Sequence, residues 1–373
     1  MKKIFIFSSA LLVFILFFLG IYNFAFKQDV PEKIVQPEEN KEMVPQKIPE
    51  KIKSVSDQEV MSPFFDEKNG TIVFYSAEDG TVWQAIENGS GEKQIDPTKL
   101  DGLAGALWSL DHKKVLTTFK KDGQTYFYAY DHQNKKGTRL KDGTDLVVWD
   151  NAGAKIFYKY YDSIKKERSL NIADPDGGNW QKLANIDFRK ISMSAVPSTP
   201  NVSYWNYPDA GQESQLIIVN AISGQPQTIF RGKHGADYLW SPDGTQALVS
   251  SLASENSKIT TLGLVTSSGE YHDLNIPTMV SKCVWSSDGK TIYYALPGGI
   301  PDKAVMPNDY QENKFTTEDT FWKMDVATAK KERVVSSANI PKKYDSSNLF
   351  LSKTEDFLYF VNKIDGKLYR IEM

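Results

Sequence analysis

The residues able to do chemistry are few and scattered. The four histidines, His112, His132, His234 and His272, stand nowhere at ligand spacing of one another, so no metal-binding pattern emerges from them. His112 and His132 fall in or beside expected turns and His272 in an expected outer strand, where a satisfied or solvated imidazole is the simpler account. There is no Gly-x-Ser-x-Gly nucleophile elbow and no phosphate-binding glycine loop. Asp174, Asp176 and Asn179 superficially resemble a calcium loop, but the further oxygens and distal glutamate of an EF-hand are missing, and a hairpin turn explains them better. Glycoside chemistry needs two carboxylates about 5–10 Å apart. Among 47 acidic residues some pair always looks suitable, so sequence alone singles none out. The lone Cys283 excludes an intrachain disulfide and reads as a small buried apolar side chain, two residues before Trp285 on one strand. The expectation is no catalytic residue, no metal and no cofactor.

What positions any site is a repeat. Trp240-Ser241-Pro242-Asp243-Gly244 reads as a tight hairpin turn: Pro242 presets φ for a type I corner, Asp243 suits the next position, and Gly244 takes the left-handed one. An alternating strand follows to Val249. Trp285-Ser286-Ser287-Asp288-Gly289 is a second copy, and Trp108-Ser109-Leu110-Asp111 a degraded third. Trp149-Asp150-Asn151-Ala152-Gly153 and Phe65-Asp66-Glu67-Lys68-Asn69-Gly70 are two more.

Marking each copy at the same place gives Phe65, Trp108, Trp149, Ala195, Trp240, Trp285 and Leu351, with spacings of 43, 41, 46, 45, 45 and 66 residues. The first five match a four-stranded propeller blade of about 40–45 residues, and the last holds an insertion. A third strand is expected after each hairpin, at 81–86, 125–131, 169–174, 215–221, 259–266, 320–326 and 367–373. A fourth is expected in six units, at 92–97, 137–142, 180–185, 226–231, 270–276 and 331–336. The seventh unit has none, and a propeller must not leave a long open edge, so residues 51–56 are expected to pair there and close the ring. The predicted fold is an all-β, seven-bladed β-propeller over residues 61–373. If the degenerate fourth unit at Ala195 is not a blade, the ring has six.

These turns, together with Ala173-Asp174-Pro175-Asp176-Gly177-Gly178-Asn179-Trp180 between third and fourth strands, resemble the repeats of TolB-type β-propellers, relatives of the WD-repeat propellers. The resemblance spans roughly residues 61–373 and is specific for fold and weak for function, since such blades serve scaffolds, carbohydrate-active enzymes and peptidase gates alike. Two departures stand out. TolB itself carries an α/β domain ahead of its blades, where this chain has an apolar segment and a polar stretch. Propeller-bearing serine peptidases add a hydrolase domain for which no residues remain.

Length varies on one face. The loops joining second and third strands are long at 161–168, at 251–258 and above all at 296–319, and long loops on a rigid scaffold tend to carry function. The candidate binding residues are Asp302, Asp309, Tyr310, Glu312, Lys314 and Phe315 in the longest loop, with Tyr161, Asp162 and Arg168 on the same face.

Met1-Lys2-Lys3 precedes an apolar run from Ile4 to Phe26, long enough at 1.5 Å per residue to cross a bilayer core of about 30 Å. With no small-residue cleavage site after it, an uncleaved single-pass anchor in residues 1–26 is expected. Lys2 and Lys3 inside would put the remainder outside the cytoplasm. Residues 27–60, rich in Pro, Glu, Lys and Gln, read as a disordered stalk. A formal charge of −3 from 44 basic and 47 acidic residues argues against nucleic acid. The functional expectation is a monomeric, non-enzymatic scaffold in a bacterial cell envelope that binds envelope proteins. The alternatives are a module for glycan or cell-wall polymer, and a propeller hydrolase or lyase.

Overall fold

In a computed structural model, residues 50–373 are described apart from Glu255, Asn256 and Lys258. The expected membrane segment and most of the expected stalk lie outside these residues, and among those described no helix is long and apolar enough to cross a membrane. The described chain is built from antiparallel strands, arranged as five four-stranded sheets and one of seven strands.

The turn motif behaves as its residues dictate. Gly244 has φ +71°, and its N–H donates to Ser241 O at 2.9 Å. Gly289, Gly153 and Gly70 repeat the left-handed position, and His112, Ser198 and Glu355 occupy it where glycine is absent. The strands that follow are buried on both faces. Every residue of Thr71–Ser76 is buried; Ile72 and Phe74 enter one core cluster while Val73 and Tyr75 enter the next. Ala247 and Val249 likewise pack on one side and Leu248 on the other. Period-two alternation in a doubly covered strand therefore reads as an unbroken apolar run.

In four of the sheets the motif tryptophan ties the sheet to the one before it. Trp149 Nε1 donates to Leu107 O at 2.8 Å, Trp240 Nε1 to Ser203 Oγ at 2.8 Å, Trp285 Nε1 to Leu239 O at 3.2 Å and Trp108 Nε1 to Ser62 O at 3.1 Å. The indole buries its apolar body between two sheets and spends its polar edge on the neighbour. The unit at Ala195 lacks this tryptophan, yet Ile191–Ala195, Asn201–Asn206, Glu213–Asn220 and Pro226–His234 form a complete four-stranded sheet.

The seven-stranded sheet runs in the order Ser346–Leu351, Phe357–Asn362, Lys367–Glu372, Ile52–Asp66, Thr71–Ser76, Val82–Ile86, Lys93–Asp96. Ile52–Asp66, with 15 residues, serves two neighbours in succession. Ile52, Lys53 and Ser54 pair with Ile371, Arg370 and Tyr369, and further along Val60–Asp66 pairs with Thr71–Ser76. Irregularities after Ser54 and Met61 let the strand bend from one partner to the other. Residues 57–60, read from composition as stalk, thus belong to a strand. Buried Val55 and Val60, packed on Tyr359 and Leu368, supply the apolar contacts that a polar stalk would lack.

Ile371 is fully buried opposite Ile52. Ile371→Ala should cost about 2–5 kcal/mol in urea denaturation, whereas Ile222→Ala, in a turn where the side chain is 81% exposed, should change stability by about 0.5 kcal/mol or less. Equal effects would contradict closure through this strand pair.

Candidate binding face

The longest loop is folded. Strands Thr291–Gly298 and Glu318–Asp325 stay paired up to Gly298 opposite Glu318, and residues 299–317 form a compact cap with a short helix, Asn308–Gln311. Asp309 Oδ2 accepts the Val305 N–H at 2.7 Å, and Lys314 Nζ lies 2.7 Å from Asp309 Oδ1 and 2.8 Å from Glu312 Oε2. Beneath, Met306 and Tyr310 are buried against Leu252 and Met279, with Phe315 partly buried beside them. Asn308 accepts the Ala210 N–H at 2.8 Å and donates to Asp209 at 3.2 Å, so the cap reaches from its own sheet to the 191–234 sheet.

Under the cap lies a buried ionic knot. Lys282 Nζ is 2.7 Å from Asp319 Oδ2, 2.7 Å from Asp345 Oδ1 and 2.9 Å from Ser346 O, which uses all three of its protons. The side chains of Lys282, Asp319 and Asp345 are wholly shielded from solvent. Tyr310 donates its hydroxyl to Asp345 Oδ1 at 2.6 Å, and Thr317 donates to Asp319 Oδ1 at 2.7 Å. Lys363 Nζ stands 3.9 Å over the Tyr310 ring. Burial alone would raise the Asp345 carboxyl, but the Lys282 charge and the bonds from Lys282, Tyr310 and Thr317 hold it below its ordinary value. Burial, then the bond to Asp345, pushes the Tyr310 hydroxyl far up, and burial pulls Lys363 down. Both carboxylates are therefore sealed, Asp319 through both oxygens and Asp345 through Oδ1 while its Oδ2 is buried without a partner among the described residues, an anchor for the cap rather than an accessible acid–base pair.

The expected site residues divide accordingly. Asp302, Glu312 and Lys314 are exposed and Asp309 half-buried on the cap, while Tyr310 and Phe315 point inward and hold it down. At the tip of another hairpin, the Arg168 guanidinium lies 4.9 Å over Tyr161 and Asp162 Oδ1 caps the turn by accepting from Ile164 N at 2.9 Å. None of these three is bonded to Asp309, Tyr310, Glu312, Lys314 or Phe315. What adjoins the cap is a cleft of about 810 Å³ with Arg189, Lys190, Tyr207 and Asp209 on one side and Gln311 and Glu312 on the other.

Sequence spacing missed the knot, whose members come from separate units, and it missed that two of the histidines line one seam. His112 stacks on Phe64 at 3.8 Å, and His132 stacks on Trp108 at 5.1 Å with Nε2 3.4 Å from the Tyr75 hydroxyl. Both line the seam between the 71–96 strands and the 103–139 sheet. The available signal was their position in the two turns of one unit that emerge on the same face. Burial lowers both imidazoles below the ordinary value. Asp174, Asp176 and Asn179 form a hairpin turn, with Asn179 Nδ2 donating to Asp174 Oδ2 at 2.6 Å. Among the described residues no three His, Cys, Asp or Glu side chains come together as a metal site.

No family model matches the chain, and no curated protein matches it. Solved structures do. An oligogalacturonate lyase in complex with manganese gives a TM-score of 0.61 at 12% identity, covering 86% of this chain and 93% of that one. The chain folds as a β-propeller. The β-propeller domain of Cps50 (Swd1) from Myceliophteria thermophila gives 0.54 at 10% identity, covering 86% of this propeller chain and 99% of that one. The propeller domain of the Trilobed protease from Pyrococcus furiosus, whose ring has an open velcro topology, gives 0.53 at 9%, covering 84% and 92%. At such identities the likeness is one of fold, and at that level the TolB-like, WD-repeat resemblance of the turn motifs holds.

The knot sets two expectations. Lys282→Met should destabilise the propeller by about 3–5 kcal/mol at pH 7, because two buried carboxylates lose their counter-charge. Because the Asp345 carboxyl is depressed on folding, its contribution is present above the ordinary carboxylate range near 4 and fades as pH falls through its folded value. The penalty of Lys282→Met should therefore shrink below pH 4. Tyr310→Phe, which removes one donor, should cost about 1–3 kcal/mol at pH 7 and move acid unfolding to higher pH. Urea titrations at pH 7 and pH 3.5 measure each effect; a pH-independent Lys282→Met penalty would contradict the ionic account.

Proposed function

We propose that the chain is a seven-bladed propeller, held outside a cytoplasmic membrane by its N-terminal apolar segment, that serves as a protein-binding scaffold in the cell envelope. The count of seven takes the seven-stranded sheet as two blades sharing Ile52–Asp66. The observation that carries the binding role is the pinned cap. Its underside is fixed by Tyr310, Met306 and Asn308, so its outer surface is ordered before any partner arrives, and less ordering entropy is lost on association. That surface mixes Asp302, Glu312 and Lys314 with an apolar Val305 that is 51% exposed. Across the cleft stand Arg189, Lys190 and Tyr207. Opposed charges around an apolar and aromatic centre suit a protein surface loop better than a small anion or nucleic acid.

The likeness to a lyase is of fold alone and supplies no site. Asp319 and Asp345, the buried carboxylate pair nearest the cap, have no opening to solvent, so a hydrolase or lyase reading finds little support in them.

A photocrosslinking residue at Val305 of the full chain in intact cells should yield a discrete protein adduct, weakened at least several-fold by Asp302→Arg with Glu312→Arg. The same residue at Ile222, in the turn after Glu213–Asn220, should give none. Identical adducts at both positions, or indifference to the charge reversals, would sink the scaffold reading. For topology, Lys68→Cys in an exposed turn should react with an impermeant maleimide on intact cells. Native Cys283 should stay silent, because it is buried and burial pushes its thiol up. Protection of residue 68 until lysis would contradict export.

A further inference from the structure

The 103–139 sheet is longer than its neighbour. Its middle strands, Lys114–Lys121 and Gln124–Asp131, have eight residues each, whereas Thr71–Ser76 and Val82–Ile86 have six and five. Phe119 pairs with Tyr126, Thr117 with Tyr128 and Val115 with Tyr130, so all six share one face of the sheet, the face turned toward the shorter strands. Val115 at the base is fully buried against Val73, Tyr75 and Val82. The short strands end before they cover the upper part of this face, and Phe119, Tyr126 and Tyr128 remain half-exposed. The uncovered face is one wall of a groove of about 660 Å³, within the size range of small-molecule sites.

The chemistry of this groove is specific. Phe119 and Tyr128 meet edge to face at 5.3 Å, which holds the two rings at fixed, different angles. The Arg139 guanidinium lies 4.5 Å over Tyr126 and is bonded to Asp142, so both its charge and that ring face are engaged. The Tyr128 and Tyr130 hydroxyls donate to no described residue. Gly137 stands opposite Tyr130, and a Cβ there would touch the ring at 3.5 Å, so glycine keeps that ring uncovered. Asp96, Asp101 and Asp122 stand around the opening, with Lys121 and the imidazole of His132 the remaining basic groups of the lining. Asp96 is kept ionised by the Thr98 N–H, which prevails over burial.

Three ligand classes fit this lining unequally. A nucleic acid or other polyanion would meet three carboxylates. A quaternary ammonium requires an enclosed aromatic cage, and here the wall is open and one ring already carries a guanidinium. A pyranose presents carbon-bound hydrogens on one face, which stack on an aromatic ring, and hydroxyls around its edge, which need both donors and acceptors. Free tyrosine hydroxyls and ionised carboxylates beside exposed rings supply both. We propose that the groove between the 71–96 strands and the 103–139 sheet binds a neutral glycan, stacked on Phe119 and Tyr128, with its hydroxyls taken by the Tyr130 hydroxyl, Asp96 and Asp101. The site shares no residue with the cap and stands whether or not the cap binds a protein.

Calorimetric titration of the full chain in lipid nanodiscs with cellotetraose and chitotetraose tests this, with tetragalacturonate and a polyproline decapeptide as competing arms. At least one neutral tetrasaccharide should bind saturably. Affinity should fall at least tenfold in Tyr128→Ala and about threefold in Tyr130→Phe, and stay unchanged in Ile222→Ala. Should Tyr128→Ala fail to fold, Gly137→Gln keeps every aromatic ring and lays a side chain over Tyr130; it too should lose at least tenfold. Failure of both neutral sugars to bind overturns the proposal, as does binding indifferent to Tyr130→Phe and Gly137→Gln. Preference for the polyproline peptide or for tetragalacturonate would overturn it as well, by reassigning the groove to another ligand class.

Discussion

A β-sheet that is apolar on both faces can be covered on both only if every sheet has a neighbour on each side, and in one chain this requires the first and last sheets to meet. Most of what the molecule does with its sequence answers that constraint. Ile72 and Phe74 face one way and Val73 and Tyr75 the other, and the same division recurs at Ala247 and Leu248. The recurrent indole N–H, reaching back to the preceding sheet, converts simple stacking into a fixed angular step between neighbours. The shared strand Ile52–Asp66 completes the cover, because its first residues pair with Lys367–Glu372 while its last pair with Thr71–Ser76.

This division between scaffold and exceptions explains how much could be read in advance. Tryptophan, serine and the Asp-Gly corner act within a few residues of one another, so Trp240 to Gly244 announces a hairpin wherever it occurs. Strand placement follows from alternation, and expected and observed third and fourth strands differ by a few residues at their ends. The need for an outer partner beside Lys367–Glu372 follows from a count of strands. None of this involves contacts between distant units, and that is where reading stops. Lys282 finds Asp319 and Asp345 at separations of 37 and 63 residues, and nothing near Lys282 distinguishes it from a surface lysine. The inward turn of Tyr310 is hidden because its loop is polar on average, while the side chains that decide its packing, Leu252 and Met279, belong to other segments. The groove beside Tyr128 arises from a difference in length between two neighbouring sheets, a relation that no single stretch contains.

The two candidate surfaces illustrate two ways in which a regular scaffold acquires individuality. At the cap, an added segment is stitched down by a sealed charge cluster. Such a cluster contributes little net stability compared with an apolar filling, yet it tolerates only one arrangement. At the groove nothing is added; two strands fall short, and side chains that would have been core become surface. One device costs desolvation of charge and the other costs apolar exposure. Both are affordable because the remaining interfaces follow the repeat closely.

The shared strand also fixes an order of events in time. Ile52 leaves the ribosome before its partner Ile371, with nearly the whole propeller synthesised in between. At roughly 5–20 residues per second, the first half of Ile52–Asp66 waits on the order of tens of seconds with its backbone groups unpaired and Val55 uncovered. Intermediate sheets can stack as they emerge, but the circle cannot lock until the final strand arrives. During that interval the nascent chain is an open stack with two adhesive ends, and two such stacks side by side could join end to end before either has closed upon itself.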